Sequence, residues 1–119
     1  MRTLALAALL AGLAAPVASP AAAFERIVDP TDFTQTVTGR DLTRFGIRLQ
    51  VTPEGEIQGR GFGYPVTGEW RWQDGFFCRD MDWGGTDIGY NCQAVLRNGN
   101  TLRFISDQGQ GDYADFRLR

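Results

Sequence analysis

From residue 40 onward the chain is punctuated by turn chemistry at nearly regular intervals: Pro53-Glu54-Gly55, Asp74-Gly75, Gly84-Gly85, Asn98-Gly99 and the Gly109/Gly111 pair. Asp-Gly and Asn-Gly supply the positive φ angles that a two-residue hairpin requires. Pro followed by Gly presets a tight turn. Between these points the residues alternate: Phe45, Ile47, Leu49 and Val51 interleave with Arg44, Gly46, Arg48 and Gln50, the pattern of a half-buried strand. Further strands are expected over 56–62, 66–72, 76–81, 90–97, 101–106 and 112–119. Seven or eight strands, roughly ten residues apart and mostly hairpin-linked, form an antiparallel meander. So few short strands must protect their edges, and closing into a small barrel or pairing as a sandwich does that.

The first 23 residues read differently. Arg2 precedes an apolar run from Leu4 to Ala15, then Pro16 and Pro20, then Ala21-Ala22-Ala23. That order fits an export signal with an A-x-A cleavage site before Phe24. A run of about twelve residues is too short for a hydrocarbon core roughly 30 Å thick, although an uncleaved anchor is the rival reading. The expectation is a signal peptide over 1–23, a single antiparallel β domain over 24–119, and a periplasmic or secreted bacterial protein. No cysteine follows the leader to carry a lipid. One short helix is expected over about 30–38: Asp29 caps it, Pro30 opens it, and Asp32 places negative charge in its first turn. Phe33 and Val37 then share one face, and Gly39 ends it.

Export changes how Cys78 and Cys92 read, because an even cysteine count in an oxidising compartment points to a disulfide. A hairpin centred near Gly85 places the two opposite one another, as a cross-strand bridge requires. Their spacing lacks the C-x-x-C geometry of a redox-active pair.

The Asp74-Gly75 turn sets a second register. It puts Trp72 opposite Phe77 and Trp70 opposite Arg79, so these four share one face and the cysteines take the other. Tyr64, Trp70, Trp72, Phe77, Arg79 and Trp83 are the candidate ligand-binding residues: aromatic rings with one guanidinium in a barrel mouth suit a small apolar or anionic molecule. The same rings also suit core filling, or, if exposed, anchoring a partner protein. Arg79 is then either a ligand anchor or the buried partner of an acid such as Glu69 or Asp80.

Composition removes most catalytic chemistry. The chain has no His and no Lys, which excludes a Ser-His-Asp or Cys-His set, a Schiff-base lysine and histidine metal ligands. Ser106 is the one serine beyond the leader. Gly59-x-Gly61-x-Gly63 has the spacing of a dinucleotide loop but precedes a strand rather than a helix, so it reads as glycine in strands. Asp80, Asp82 and Asp87 lack the order of a calcium loop and read as solvated acids, and no metal site is expected. No two carboxylates are singled out as a hydrolytic pair. Arginine without lysine suits anion recognition, since guanidinium binds carboxylate and phosphate bidentately, but reads rather as a codon bias that also favours Ala and Gly. With a net charge of −2 and the arginines scattered among acids, nucleic acid is not an expected partner.

The run Gly68-x-Trp70-x-Trp72-x-Asp74-Gly75-x-Phe77-Cys78-Arg79, with Asn91-Cys92-Gln93 and Leu102-Arg103-Phe104, resembles a group of small exported alphaproteobacterial proteins that are lipocalin-like. The resemblance implies a small all-β meander barrel, lipocalin-like or avidin-like, over nearly all of the chain beyond the leader. Chains of this type sometimes carry the label dihydrodipicolinate reductase. That label implies a Rossmann domain, a nicotinamide cofactor and a catalytic histidine and lysine, none of which this sequence supports. The expected function is non-catalytic binding of a small ligand with no cofactor, by a monomer that does not insert in the membrane once its signal is cleaved. The alternative is an inhibitor or accessory protein that binds an exported hydrolase.

Overall fold

A computed structural model describes residues 23–119, so the leader lies, Ala23 apart, outside the described residues. A short strand β1 (Glu25–Ile27) and a helix α1 (Pro30–Val37) precede eight strands: β2 (Asp41–Arg44), β3 (Ile47–Val51), β4 (Glu56–Gly61), β5 (Tyr64–Gln73), β6 (Phe76–Trp83), β7 (Thr86–Asn98), β8 (Thr101–Ile105) and β9 (Tyr113–Leu118). Each strand from β2 to β9 pairs antiparallel with the next, and β9 returns to β2 through Leu42↔Leu118 and Thr43↔Arg117. That last pairing closes an eight-stranded barrel and excludes a sandwich. It also excludes the Rossmann architecture that the reductase label implies. Barrels of this size have an interior that side chains fill or that holds one small ligand. β1 lies outside the ring, pairing with β7 at Glu25↔Arg97 to Ile27↔Val95, where β6 no longer reaches.

The helix forms where the sequence placed it. The Asp29 side chain accepts from the Thr31 amide at 2.8 Å, Pro30 is the first helical residue, and Phe33, Thr36 and Val37 face inward. The expected strand from Arg44 to Val51 is instead two strands. Arg44 pairs with Ile47 across a two-residue turn at Phe45-Gly46, where Gly46 has φ +75° and Phe45 is 91% exposed. Alternating Phe45 with Ile47 imitated a continuous strand, but the glycine permits the backbone to reverse there.

Both inferred hairpin registers are present. Trp72 faces Phe77, Trp70 faces Arg79, and Cys78 faces Cys92, with which it forms a disulfide across a Cα–Cα distance of 3.9 Å. β7 begins earlier than expected, at Thr86. The pairing shifts between Met81↔Gly89 and Asp82↔Asp87, leaving Ile88 as the extra, exposed residue of a bulge.

Because the strands run up and down, the turns divide between two ends. α1 closes one end. Phe33, fully buried, lies 5.3 Å from Trp70, 4.8 Å from Trp72 and 5.2 Å from Phe77, ring centroid to centroid. The indole N–H of Trp70 donates to the Thr52 carbonyl and that of Trp72 to the Val28 carbonyl, each at 2.9 Å. Each tryptophan thus packs its half-buried ring without orphaning its polar atom. At the other end lie the turns at Phe45-Gly46, Phe62-Gly63 and Gly84-Gly85, and the segment joining β8 to β9. That segment contains one tight turn, Ser106–Gly109, in which Asp107 and Gln108 are left-handed.

Candidate ligand cavity

The open end leads into a cavity of about 280 Å³. Its wall is mostly apolar: Leu42 from β2, Leu49 and Val51 from β3, Ile57 from β4, Phe104 from β8 and Phe116 from β9. These side chains alternate inward along strands whose outward neighbours are polar, so the strand period itself lines the cavity. The polar groups are few and are concentrated on β6, β7 and the β8–β9 segment: Arg79, Gln93, Ser106 and Asp112.

The segment at the mouth is held by reciprocal bonds. Asn91 donates through Nδ2 to the Asp107 carboxylate at 2.8 Å, and accepts at Oδ1 from the Asp107 amide at 3.0 Å. The Ser106 amide donates to the Asp112 carbonyl at 2.9 Å. These contacts fix Ser106 and Asp112 at the rim despite the left-handed backbone between them. Within the cavity Gln93 donates to the Ser106 hydroxyl at 3.3 Å.

Arg79 is the unusual member. It is 9% exposed, and its Nη1 donates to the Gly89 carbonyl at 2.7 Å. Among the described residues the ion pairs are Arg48 with Asp41 and Arg103 with Asp115; Arg79 belongs to neither. The expected ion pair with Glu69 or Asp80 is therefore not formed. Strand alternation explains it, since Glu69 and Asp80 face each other on the outer side while Arg79 points in. Burial pushes the guanidinium below its ordinary pKa, with the charge of nearby Asp80 partly opposing the shift. Arg79 lines the cavity, and no buried side-chain nitrogen or oxygen among the described residues lacks a partner, so the guanidinium nitrogens that make no bond are not sealed in the core.

The six candidate residues separate into three places. Phe77 and Arg79 line the cavity. Trp70 and Trp72 pack on Phe33 in the floor of the barrel and are not among the residues that line the cavity. Tyr64 and Trp83 stand at the open rim, 6.0 Å apart, with Trp83 donating to the Gly61 carbonyl at 2.8 Å. The aliphatic wall was missed because alternation marks a residue as inward-facing without saying whether it meets another side chain or a void.

Asp82 and Asp87 each cap turn backbone, accepting from the amides of Gly85 and Gly89. Among the described residues no cluster of three or more potential ligands is placed to hold a metal ion, and no helix is long and apolar enough to cross a membrane.

The class is thus a closed eight-stranded antiparallel barrel with a helix-plugged base and an apolar cavity holding one buried arginine. Comparison with protein families, curated proteins and solved structures finds no match for this chain.

Proposed function

We propose that this protein is an exported, non-catalytic carrier of a small amphiphile whose anionic head pairs with Arg79 and whose apolar body fills the cavity. The observation that carries the reading is a buried guanidinium that forms no ion pair and lines a mostly apolar cavity. A buried cation in such a site costs stability unless a counter-charge meets it, and guanidinium pairs bidentately with a carboxylate. The leader pattern and the disulfide support export to an oxidising compartment.

The volume limits the ligand. A cavity of about 150 Å³ takes a benzene ring, so roughly twice that space suits about a dozen non-hydrogen atoms. Decanoate has that size, and decan-1-ol is its uncharged counterpart. Isothermal titration of decanoate should show one site per chain. Arg79→Met should weaken decanoate about 10- to 100-fold, the range expected for a hydrogen bond between charged groups, while leaving decan-1-ol unchanged. Equal loss for acid and alcohol, or no binding of either, would remove the proposal. The alternative, an inhibitor of an exported hydrolase, draws on the exposed rings of Tyr64 and Trp83. A protein that co-purifies at fixed stoichiometry would favour it.

A further inference from the structure

The rim carries a second feature that cavity binding does not use. Phe45, Phe62, Trp83 and Tyr64 form a continuous chain of rings, with successive centroids 6.3, 6.5 and 6.0 Å apart. Phe45, Phe62 and Tyr64 are each more than half exposed and Trp83 is 39% exposed. They come from three separate turns at the open end, two of which are tied together by the Phe62 amide donating to the Gly46 carbonyl at 2.7 Å. Phe62 packs over Gly46, where a Cβ has no room. The rings are therefore held outward by the backbone. Exposed aromatic clusters of this kind mark binding surfaces.

Arginines border the same rim. A shallow groove beside Phe45 is lined by Arg44, Arg48, Arg60, Arg117 and Arg119 and by no Asp or Glu. Asp41 reaches Arg48 at 2.7 Å from the far side. In sequence these arginines are scattered among acids; closure of β9 onto β2 and the pairing of β3 with β4 gather them. Arg48 and Arg60 are direct cross-strand partners, and Thr43 stands between Arg48 and Arg117. Like charges directly opposite one another are destabilising. Toward the open end Asp82 and Asp87 cap the turn between β6 and β7, Asp107 and Asp112 lie in the β8–β9 segment, and Asp115, whose carboxyl also feels the charge of Arg44, is held in an ion pair by Arg103. In a chain with net charge −2 this is segregation of charge, not excess of it.

We infer that this half of the rim docks peripherally on an anionic phospholipid surface. The rings of Phe45, Phe62 and Trp83 enter the headgroup layer while Arg44, Arg60 and Arg117 meet lipid phosphates. Projecting rings on turn tips find apolar surroundings in a bilayer without a matching pocket, and aromatic side chains favour that depth. A row of guanidinium groups suits a fluid array of phosphates better than one fixed counter-ion. Docking in this orientation also turns the cavity mouth toward the lipid, but it does not depend on what the cavity binds.

The test uses residues 24–119, which hold the whole barrel, in co-sedimentation with vesicles. One set is phosphatidylcholine alone, and the other contains about one-third phosphatidylglycerol. Binding is expected to the anionic vesicles only and to weaken with added salt. Arg60→Gln with Arg117→Gln should weaken it on the order of tenfold or more, given the contribution of each basic residue near such a surface. Phe45→Ser with Phe62→Ser should weaken it comparably at high salt, where charge is screened. Circular dichroism should show both variants folded, since all four side chains are exposed. No sedimentation with anionic vesicles, or sedimentation that both double variants leave unchanged, overturns the inference. If vesicle binding is absent and sedimentation velocity shows a dimer that Phe45→Ser dissolves, the rim is a contact between copies of the chain instead. Decanoate titration reads the cavity independently, so either proposal can fail alone.

Discussion

Trp70 and Arg79 are direct cross-strand partners on β5 and β6, both on the interior face, yet they serve different parts of the barrel. The indole turns to Phe33 and bonds the Thr52 carbonyl, while the guanidinium opens into the cavity and bonds the Gly89 carbonyl. The boundary between packed floor and open cup runs between these two residues.

Arg79→Met should leave stability unchanged or raise it. The substitution removes a desolvated charge and retains a flexible apolar stem. Replacing buried charge by apolar side chains is often neutral or stabilising by about 1–4 kcal/mol. Urea denaturation of the ligand-free protein checks this. A clear loss of stability would assign Arg79 to the framework, through its bond to Gly89, and not to a ligand.

Phe33→Ala should cost about 3–5 kcal/mol, the range for deleting a large buried aromatic side chain. It removes the ring on which Trp70, Trp72 and Phe77 converge. The same denaturation experiment reads it, and near-ultraviolet circular dichroism should lose the signal of the packed tryptophans. Unaltered aromatic dichroism would show that α1 does not set the floor.

Gly59→Ala and Gly63→Ala should differ sharply. At Gly59 a Cβ would land on the Arg48 carbonyl oxygen and 2.9 Å from the Leu49 Cα, backbone atoms that cannot move aside without opening the β3–β4 ladder. At Gly63 nothing lies within 4 Å, and only the positive φ of 84° opposes a side chain. Gly63→Ala should therefore cost about 1 kcal/mol, whereas Gly59→Ala should prevent accumulation of folded protein. Thermal melts and soluble yield distinguish the two. Similar losses at both positions would contradict the close approach of β4 to β3.

Acid should weaken the β8–β9 hairpin. Arg103 donates to both Asp115 oxygens, at 2.8 and 3.0 Å, and its guanidinium lies 4.1 Å from the Phe24 ring centroid and 4.0 Å from that of Tyr113. The hydrogen bonds from Arg103 hold the Asp115 carboxyl below its ordinary pKa, with partial burial opposing them. A folded pKa below the unfolded one means the stabilisation is complete above the unfolded value of about 3.9 and is lost as pH falls through the folded value. Asp115→Asn should therefore shallow the acid limb of the melting-temperature profile and lower neutral stability by the same small amount, as a partly exposed pair would. An acid limb identical in both proteins would exclude Asp115 as its source.

Much of the fold was readable along the chain because its determinants are local. Turn dipeptides set the hairpin registers, and Asp29-Pro30 started the helix. Those registers alone were enough to pair Cys78 with Cys92 and to place Trp70 opposite Arg79. β1 and β2 were not readable, since strands of three and four residues are too short to show a period. Their partners, β7 in one case and β9 in the other, lie more than sixty residues away.

Local propensity, turn chemistry and residue alternation thus decided by themselves that this protein is an antiparallel meander with one disulfide and with Arg79 on the face of Trp70, Trp72 and Phe77. Only the tertiary structure decided that this face is the interior, that β9 closes on β2, that Trp70 and Trp72 are floor while Leu42, Leu49 and Ile57 are wall, and that arginines far apart in sequence share one rim. The reason is physical: alternation fixes which way a side chain points. Whether it then meets a neighbour, a void or another charge depends on the radius of the closed barrel and on which distant strands close it.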